Sequence, residues 1–115
     1  MTLDGKGKRR KGAQFERDTA DALKHIFRDA HRGLQYQDGS KCPDVVAGPY
    51  WIECKRGVGG KNPRAAWNQA ENDAQPGTIP VAVTKPDREP VLVTMGWEDW
   101  VDLVEDAEKW RRRVF

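Results

Sequence analysis

The chain has 115 residues, 37% of them hydrophobic and 33% charged, and 20 Lys+Arg against 18 Asp+Glu leave a net charge of +2. That length fits one domain with a modest core, and the composition excludes collagen, coiled coil and wholesale disorder. No apolar run approaches the ~20 residues of a membrane span, and the opening MTLDGKGKRRKG lacks the apolar segment of a secretory signal. The expectation is a cytoplasmic protein with no membrane partner. Cys42 and Cys54 have neither a zinc-site spacing nor the numbers for a disulfide framework, and both read as reduced thiols.

The near-neutral total hides an asymmetry. Lys6, Lys8, Arg9, Arg10 and Lys11 crowd one end, whereas Glu98 to Glu108 carries six acids and no base. Residues 1–12, spaced by Gly5, Gly7 and Gly12, read as a flexible basic arm suited to a phosphate backbone, with a solubilising tail as the alternative. Residues 13–115 read as one folded domain.

From Ala13 to Ala30, the positions Phe15, Thr19, Ala22, Leu23, Ile26, Phe27 and Ala30 recur at helical steps and predict a helix, stopped by Gly33. Leu34–Gln37 alternates as a short strand, followed by a turn at Asp38-Gly39-Ser40. Asp44–Ala47 and Tyr50–Lys55 are rich in β-formers and flank Gly48-Pro49, which predicts a hairpin. Arg56 to Lys61 reads as a flexible basic loop. Asn62 as cap and Pro63 at the first helical position open a helix to about Ala74. Strands follow at Ile79–Thr84 and Val91–Met95, joined by a turn at Lys85–Arg88. A last helix, from about Trp97 to Arg113, is expected to bury Trp97, Trp100, Val101, Val104 and Ala107, its end charges favouring the helix dipole. The fold class is α/β, a central mixed sheet flanked by helices.

The informative stretch is SKCPDVVAGPYWIECKRG, residues 40–57. With Gly48-Pro49 as a two-residue turn, Ala47 faces Tyr50, Val46 faces Trp51, Val45 faces Ile52 and Asp44 faces Glu53. Opposed Cβ atoms sit ~5 Å apart, so two carboxylates there repel unless a cation lies between them or one takes a proton. Lys55 leaves the strand on the same face as Glu53, and Ile52 and Cys54 point to the other. Hard oxygen ligands of this kind suit Mg²⁺ or Mn²⁺, and the carbonyl of Cys54 offers another oxygen. Such an ion with a lysine supplies what phosphodiester hydrolysis requires, Lys55 either orienting the nucleophile or stabilising developing charge. Glu16, at the edge of the first helix's apolar face, is a further candidate, with a simple helix-dipole role as the alternative. For Asp44, Glu53 and Lys55 the alternative is an ordinary surface ladder, since a bare E-x-K is common by chance.

Pro43-Asp44 and Glu53-Cys54-Lys55 resemble the two motif elements of the PD-(D/E)XK nuclease superfamily. KRRKGAQFERDTADAL, DGSKCPDVVAG, WIECKRG and GTIPVAVTK look like successive blocks of the archaeal-type Holliday junction resolvases and their phage relatives, in collinear order over roughly residues 8–85. The resemblance implies a restriction-endonuclease-like fold and an Mg²⁺- or Mn²⁺-dependent homodimer nicking opposed strands of branched DNA. By it, Glu16, Asp44 and Glu53 form the acidic metal site, Lys55 is the catalytic lysine, and Ser40 and Lys41 contact DNA near the cleavage point. Lys8, Arg9, Arg10 and Lys11 would grip phosphates, and Arg56 completes the expected DNA-contacting set. Gln69 falls where many relatives place a helical glutamine, although a solvent-facing residue is the default there. Cys54 stands where an aliphatic residue is more usual, and the helix with Trp97, Trp100 and Trp110 has no close counterpart in the family, its tryptophans reading as core packing with a subunit or partner contact as the alternative. The same motifs admit a nuclease acting on flaps, ends or duplex, or a non-catalytic nucleic-acid-binding module.

Overall fold

The computed structural model describes residues 5–33 and 41–114. Along the chain run α1 (Gly5–Leu23), β1 (His31–Arg32), β2 (Val45–Ala47), β3 (Tyr50–Arg56), a 3-10 turn (Gly57–Lys61), α2 (Pro63–Asp73), β4 (Ile79–Lys85), β5 (Leu92–Met95) and α3 (Trp97–Val114). The described strands form a five-stranded sheet ordered β1-β2-β3-β4-β5. Only β3 and β4 pair in parallel, so the sheet is mixed. The parallel step needs a crossover, and α2 supplies it.

The β2–β3 hairpin has the expected register, with Ala47 opposite Tyr50, Val46 opposite Trp51 and Val45 opposite Ile52. Its turn needs Gly48 twice over. The residue sits at φ 54°, in the left-handed region, and a Cβ there would run into the ring of Phe27. Asn62 caps α2 as its sequence suggests, its Oδ1 accepting from the amide of Ala65 at 3.0 Å with Pro63 beside it in the first turn.

Strand alternation sorts side chains onto two faces. One carries Val45, Ala47, Ile52, Cys54, Val81 and Val83, which join Phe15, Ala20 and Ala30 in the core beneath α1. On the other face lie Trp51, Glu53, Ala82 and Thr84, all buried, and α2 crosses β3, β4 and β5 with Ala66 and Ala70 buried. The α1 side is incompletely covered. An apolar groove of about 650 Å³ opens there between α1 and β5, lined among others by Leu23, Ile26, Val81, Val93 and Leu103.

Four expectations change. The basic run is not an irregular arm, because from Gly5 onward it forms the first turns of α1. Lys and Arg are good helix formers, and they carry the helix through three glycines despite a cost of ~1 kcal/mol each. At its other end α1 stops at Leu23, well short of Ala30. Bonds of the i to i+3 type, from Ile26 to Leu23 and from Ala30 to Phe27, turn the chain so that Phe27 covers the hairpin and Ala30 enters the core. Residues 57–61 coil into a 3-10 turn, where Gly60 fits closely against the backbone of Lys55 and Lys85. Finally, α3 does not bury its apolar face: Trp97, Trp100, Val101, Val104 and Ala107 are exposed. The short strand β1 was not anticipated, and the expected strand Leu34–Gln37 with its turn lies outside the described residues.

Gly48→Ala is expected to lower unfolding free energy by about 1–3 kcal/mol through strain at positive φ, with the Phe27 contact adding to it. A urea titration checks this, and an unchanged midpoint would contradict the turn geometry.

Candidate functional site

The hairpin brings Asp44 and Glu53 together. Asp44 lies one residue before β2 and Glu53 in the middle of β3, so continuing the ladder by one pair opposes them. Asp44 acts on the Glu53 carboxyl by its charge and, when Glu53 is protonated, by a hydrogen bond between the two side chains. Asp44 Oδ2 also accepts the Cys54 amide at 2.9 Å, which anchors it across the strands. Glu53 is 4% exposed, and its Oε1 accepts the indole N–H of Trp51 at 3.1 Å. Trp51 is a partner the sequence reading missed, although two residues apart on one strand always share a face.

Burial pushes the Glu53 carboxyl up to about 8, and the Asp44 charge and hydrogen bond add to that rise. The Trp51 bond and the Lys55 charge oppose it. A proton on Glu53 relieves the repulsion between the two carboxylates, and the raised Glu53 carboxyl favours it. Lys55, half-buried, leaves β3 on this same face and acts on Glu53 electrostatically.

Glu16 is near this centre but otherwise engaged. Its Oε2 accepts from Arg32 Nε at 2.9 Å, joining α1 to β1. Burial raises the thiols of both Cys42 and Cys54, the latter to about 12, and the charges of Asp44, Glu53 and Glu16 contribute to each. Neither cysteine is in a disulfide. The Cys54 side chain faces the α1 core, with Sγ 3.8 Å from Thr19 Oγ1, so any ligand from this residue would be its carbonyl. Among the described residues no group of three or more His, Cys, Asp or Glu side chains is arranged to hold a metal. Asp44 and Glu53 form a pair, and Glu16 does not complete it in this conformation.

The expected DNA-contacting residues divide. Arg56 sits on the opposite face from Glu53 and Lys55, because it is an odd number of residues away along β3. It donates to Asp87 Oδ1 at 2.6 Å and to the Lys85 carbonyl at 3.3 Å. Lys11, near the middle of α1, reaches the same Asp87 oxygen at 3.3 Å. These two cations hold the exposed Asp87 carboxyl below its ordinary range, Arg56 contributing most. Lys8, Arg9 and Arg10 are exposed on the helix. Lys41 pairs with Asp73 at the end of α2 at 2.9 Å. Gln69 is exposed on α2, as its default reading has it, and Ser40 lies outside the described residues.

Searched against family models, curated proteins and solved structures, the chain matches none. Among the described residues, no helix is long and apolar enough to cross a membrane.

The raised Glu53 carboxyl makes metal-free stability depend on pH. Between the ordinary carboxylate range and about 8, the folded chain holds a proton that the unfolded chain has released, so stability falls as pH rises through that window. In chelator-treated buffer the urea midpoint is expected to decline from about pH 5 to about pH 8, and Glu53→Gln to flatten the decline. A midpoint that climbs over this range would contradict a shared proton.

Proposed function

We propose that this chain is a metal-dependent DNA endonuclease selective for branched structures, working as a Holliday junction resolvase. The observation that carries this reading is the hairpin register that sets Asp44 opposite the buried Glu53, with Lys55 on the same sheet face as Glu53. Two adjacent carboxylates, one of them buried and raised by the other, form a donor set that a divalent cation would relieve. Mg²⁺ commonly binds through one or two carboxylates, with waters and substrate phosphate completing its shell, so the pair suffices without Glu16. Mn²⁺ suits the same oxygens.

When bound, the ion would neutralise charge at phosphorus and lower the pKa of an attacking water. Asp44 and Glu53 would hold it, and the Cys54 amide fixes the position of the Asp44 carboxylate. The Trp51 indole likewise fixes Glu53 and favours its charged form. The Lys55 ammonium can donate to a phosphate oxygen or to the water, countering charge that grows in the transition state. Lys8, Arg9 and Arg10 are exposed around the first turns of α1, and cations there would bind phosphates with release of counterions. The junction preference rests on the motif resemblance, which also implies a homodimer, since paired nicks require two sites. Action on flaps, ends or duplex would use the same residues.

A non-catalytic nucleic-acid-binding module is the second reading, favoured by the Glu16–Arg32 ion pair and the burial of Glu53. Titration calorimetry separates it: the nuclease reading expects Mn²⁺ or Mg²⁺ heats that Glu53→Gln abolishes, and a flat trace for the parent protein supports the module.

Asp44→Asn is expected to bind a four-way junction as the parent does while cutting it ~100-fold or more slowly, and Lys55→Ala to lose a similar factor. Parental rates in Asp44→Asn would remove the assigned site. A panel of junction, flap, duplex and single strand at one salt concentration ranks the substrates, and equal rates on all four would remove the resolvase assignment but keep the nuclease.

A further inference from the structure

The helix α3 is amphipathic and packs against almost nothing. Its apolar residues follow the three- and four-residue alternation of a pairing helix, with Trp100, Leu103, Ala107 and Trp110 in one stripe. Trp97 stacks on Trp100 at 5.5 Å, and both border a shallow cavity with Val93 and Thr94 of β5. Beyond those first turns the stripe is open to solvent: Leu103 is 43% exposed and Trp110 67%. Isolated helices of this length are marginal in water, so an apolar stripe with two tryptophans, and Trp97 stacked at its start, calls for a partner surface.

The charges identify that surface. From Glu98 to Glu108 α3 carries six acids, Glu98, Asp99, Asp102, Glu105, Asp106 and Glu108, and after them come only bases, Lys109, Arg111, Arg112 and Arg113. We infer that two copies of this chain pair through α3 in antiparallel orientation about a two-fold axis, independently of the nuclease reading. Antiparallel packing sets the acidic half of each helix against the arginines of the other, whereas parallel packing would set acid on acid and arginine on arginine. With the two-fold near Glu105, Trp100 meets Trp110 of the partner subunit and Leu103 meets Ala107 of the partner subunit, a large residue against a small one. Asp106 meets its own copy at the centre, a like-charge cost confined to solvent-exposed groups.

The surface is self-complementary, as a two-fold interface requires. The three tryptophans of each copy, 73%, 46% and 67% exposed, give the pair roughly 600–900 Å² of apolar surface to bury, and Leu103, Val104 and Ala107 carry it toward the ~1,200 Å² at which specific interfaces begin. Leu103 also lines the apolar groove between α1 and β5, so the seam is continuous with the uncovered part of the core.

Light scattering after size exclusion on the full chain, at tens of micromolar, is expected to give twice the 13.1 kDa chain mass. Leu103→Glu with Trp110→Glu should run as a monomer while keeping its sheet signal in circular dichroism, because α3 contributes little to the rest of the fold. Two charge variants test orientation, one carrying Glu98→Lys and Asp99→Lys, the other Arg111→Glu, Arg112→Glu and Arg113→Glu. Each alone should associate roughly tenfold more weakly than the parent or worse, and mixing the two should restore pairing. A monomeric parent, or a dimer that survives the Leu103→Glu and Trp110→Glu changes, overturns the interface. Charge variants that self-associate as tightly as the parent, or a parent dimer strengthened by salt, overturn the antiparallel arrangement.

Discussion

Two carboxyl groups forced together by a two-residue turn are the constraint around which this molecule is arranged. Gly48 at positive φ closes the hairpin, the ladder of β2 and β3 then has one register, and that register leaves Asp44 and Glu53 no choice but to meet. The cost is managed locally. The Cys54 amide and the Trp51 indole each donate to one carboxyl, and burial leaves Glu53 prone to hold a proton. A carboxyl pair whose repulsion is relieved by a proton would be relieved equally by a bound cation, which is the physical root of the proposed chemistry.

Strand alternation keeps this chemistry apart from the core. Cys54 points into the apolar layer under α1, one residue from a charged pair on the other side, and its thiol is raised until it behaves as a small hydrophobe. Arg56 is carried to the same side as Cys54 and is spent on Asp87, where Lys11 joins it. The Asp87 carboxylate therefore ties the basic turns of α1 to the turn after β4, and this contact gives the cationic segment a fixed place on the sheet.

The two terminal helices carry charge of opposite character and meet different needs. In α1 the cations crowd the end where the backbone dipole is already positive, an arrangement that disfavours the helix alone and favours an anion beside it. In α3 acids lead and arginines end, which suits the dipole and also makes the helix complementary to itself when reversed. Its tryptophans remain exposed, and the groove beside α1 is left partly open.

Much of the local structure is legible from residues because its causes are local. A glycine-proline turn sets the hairpin register, period-two alternation assigns Glu53 and Lys55 to one face and Cys54 to the other, and an asparagine-proline pair starts α2. By itself, then, the chain determined that Glu53 and Lys55 share one face, that Asp44 opposes Glu53, and that these two carboxylates repel. Only the tertiary structure decided where α1 begins and ends, that Glu16 answers to Arg32, that Trp51 braces Glu53, and that α3 stands uncovered. Those outcomes depend on contacts between residues distant in sequence, such as Lys11 with Asp87 and Phe27 over Gly48, and no periodicity within one segment encodes what another segment will offer it.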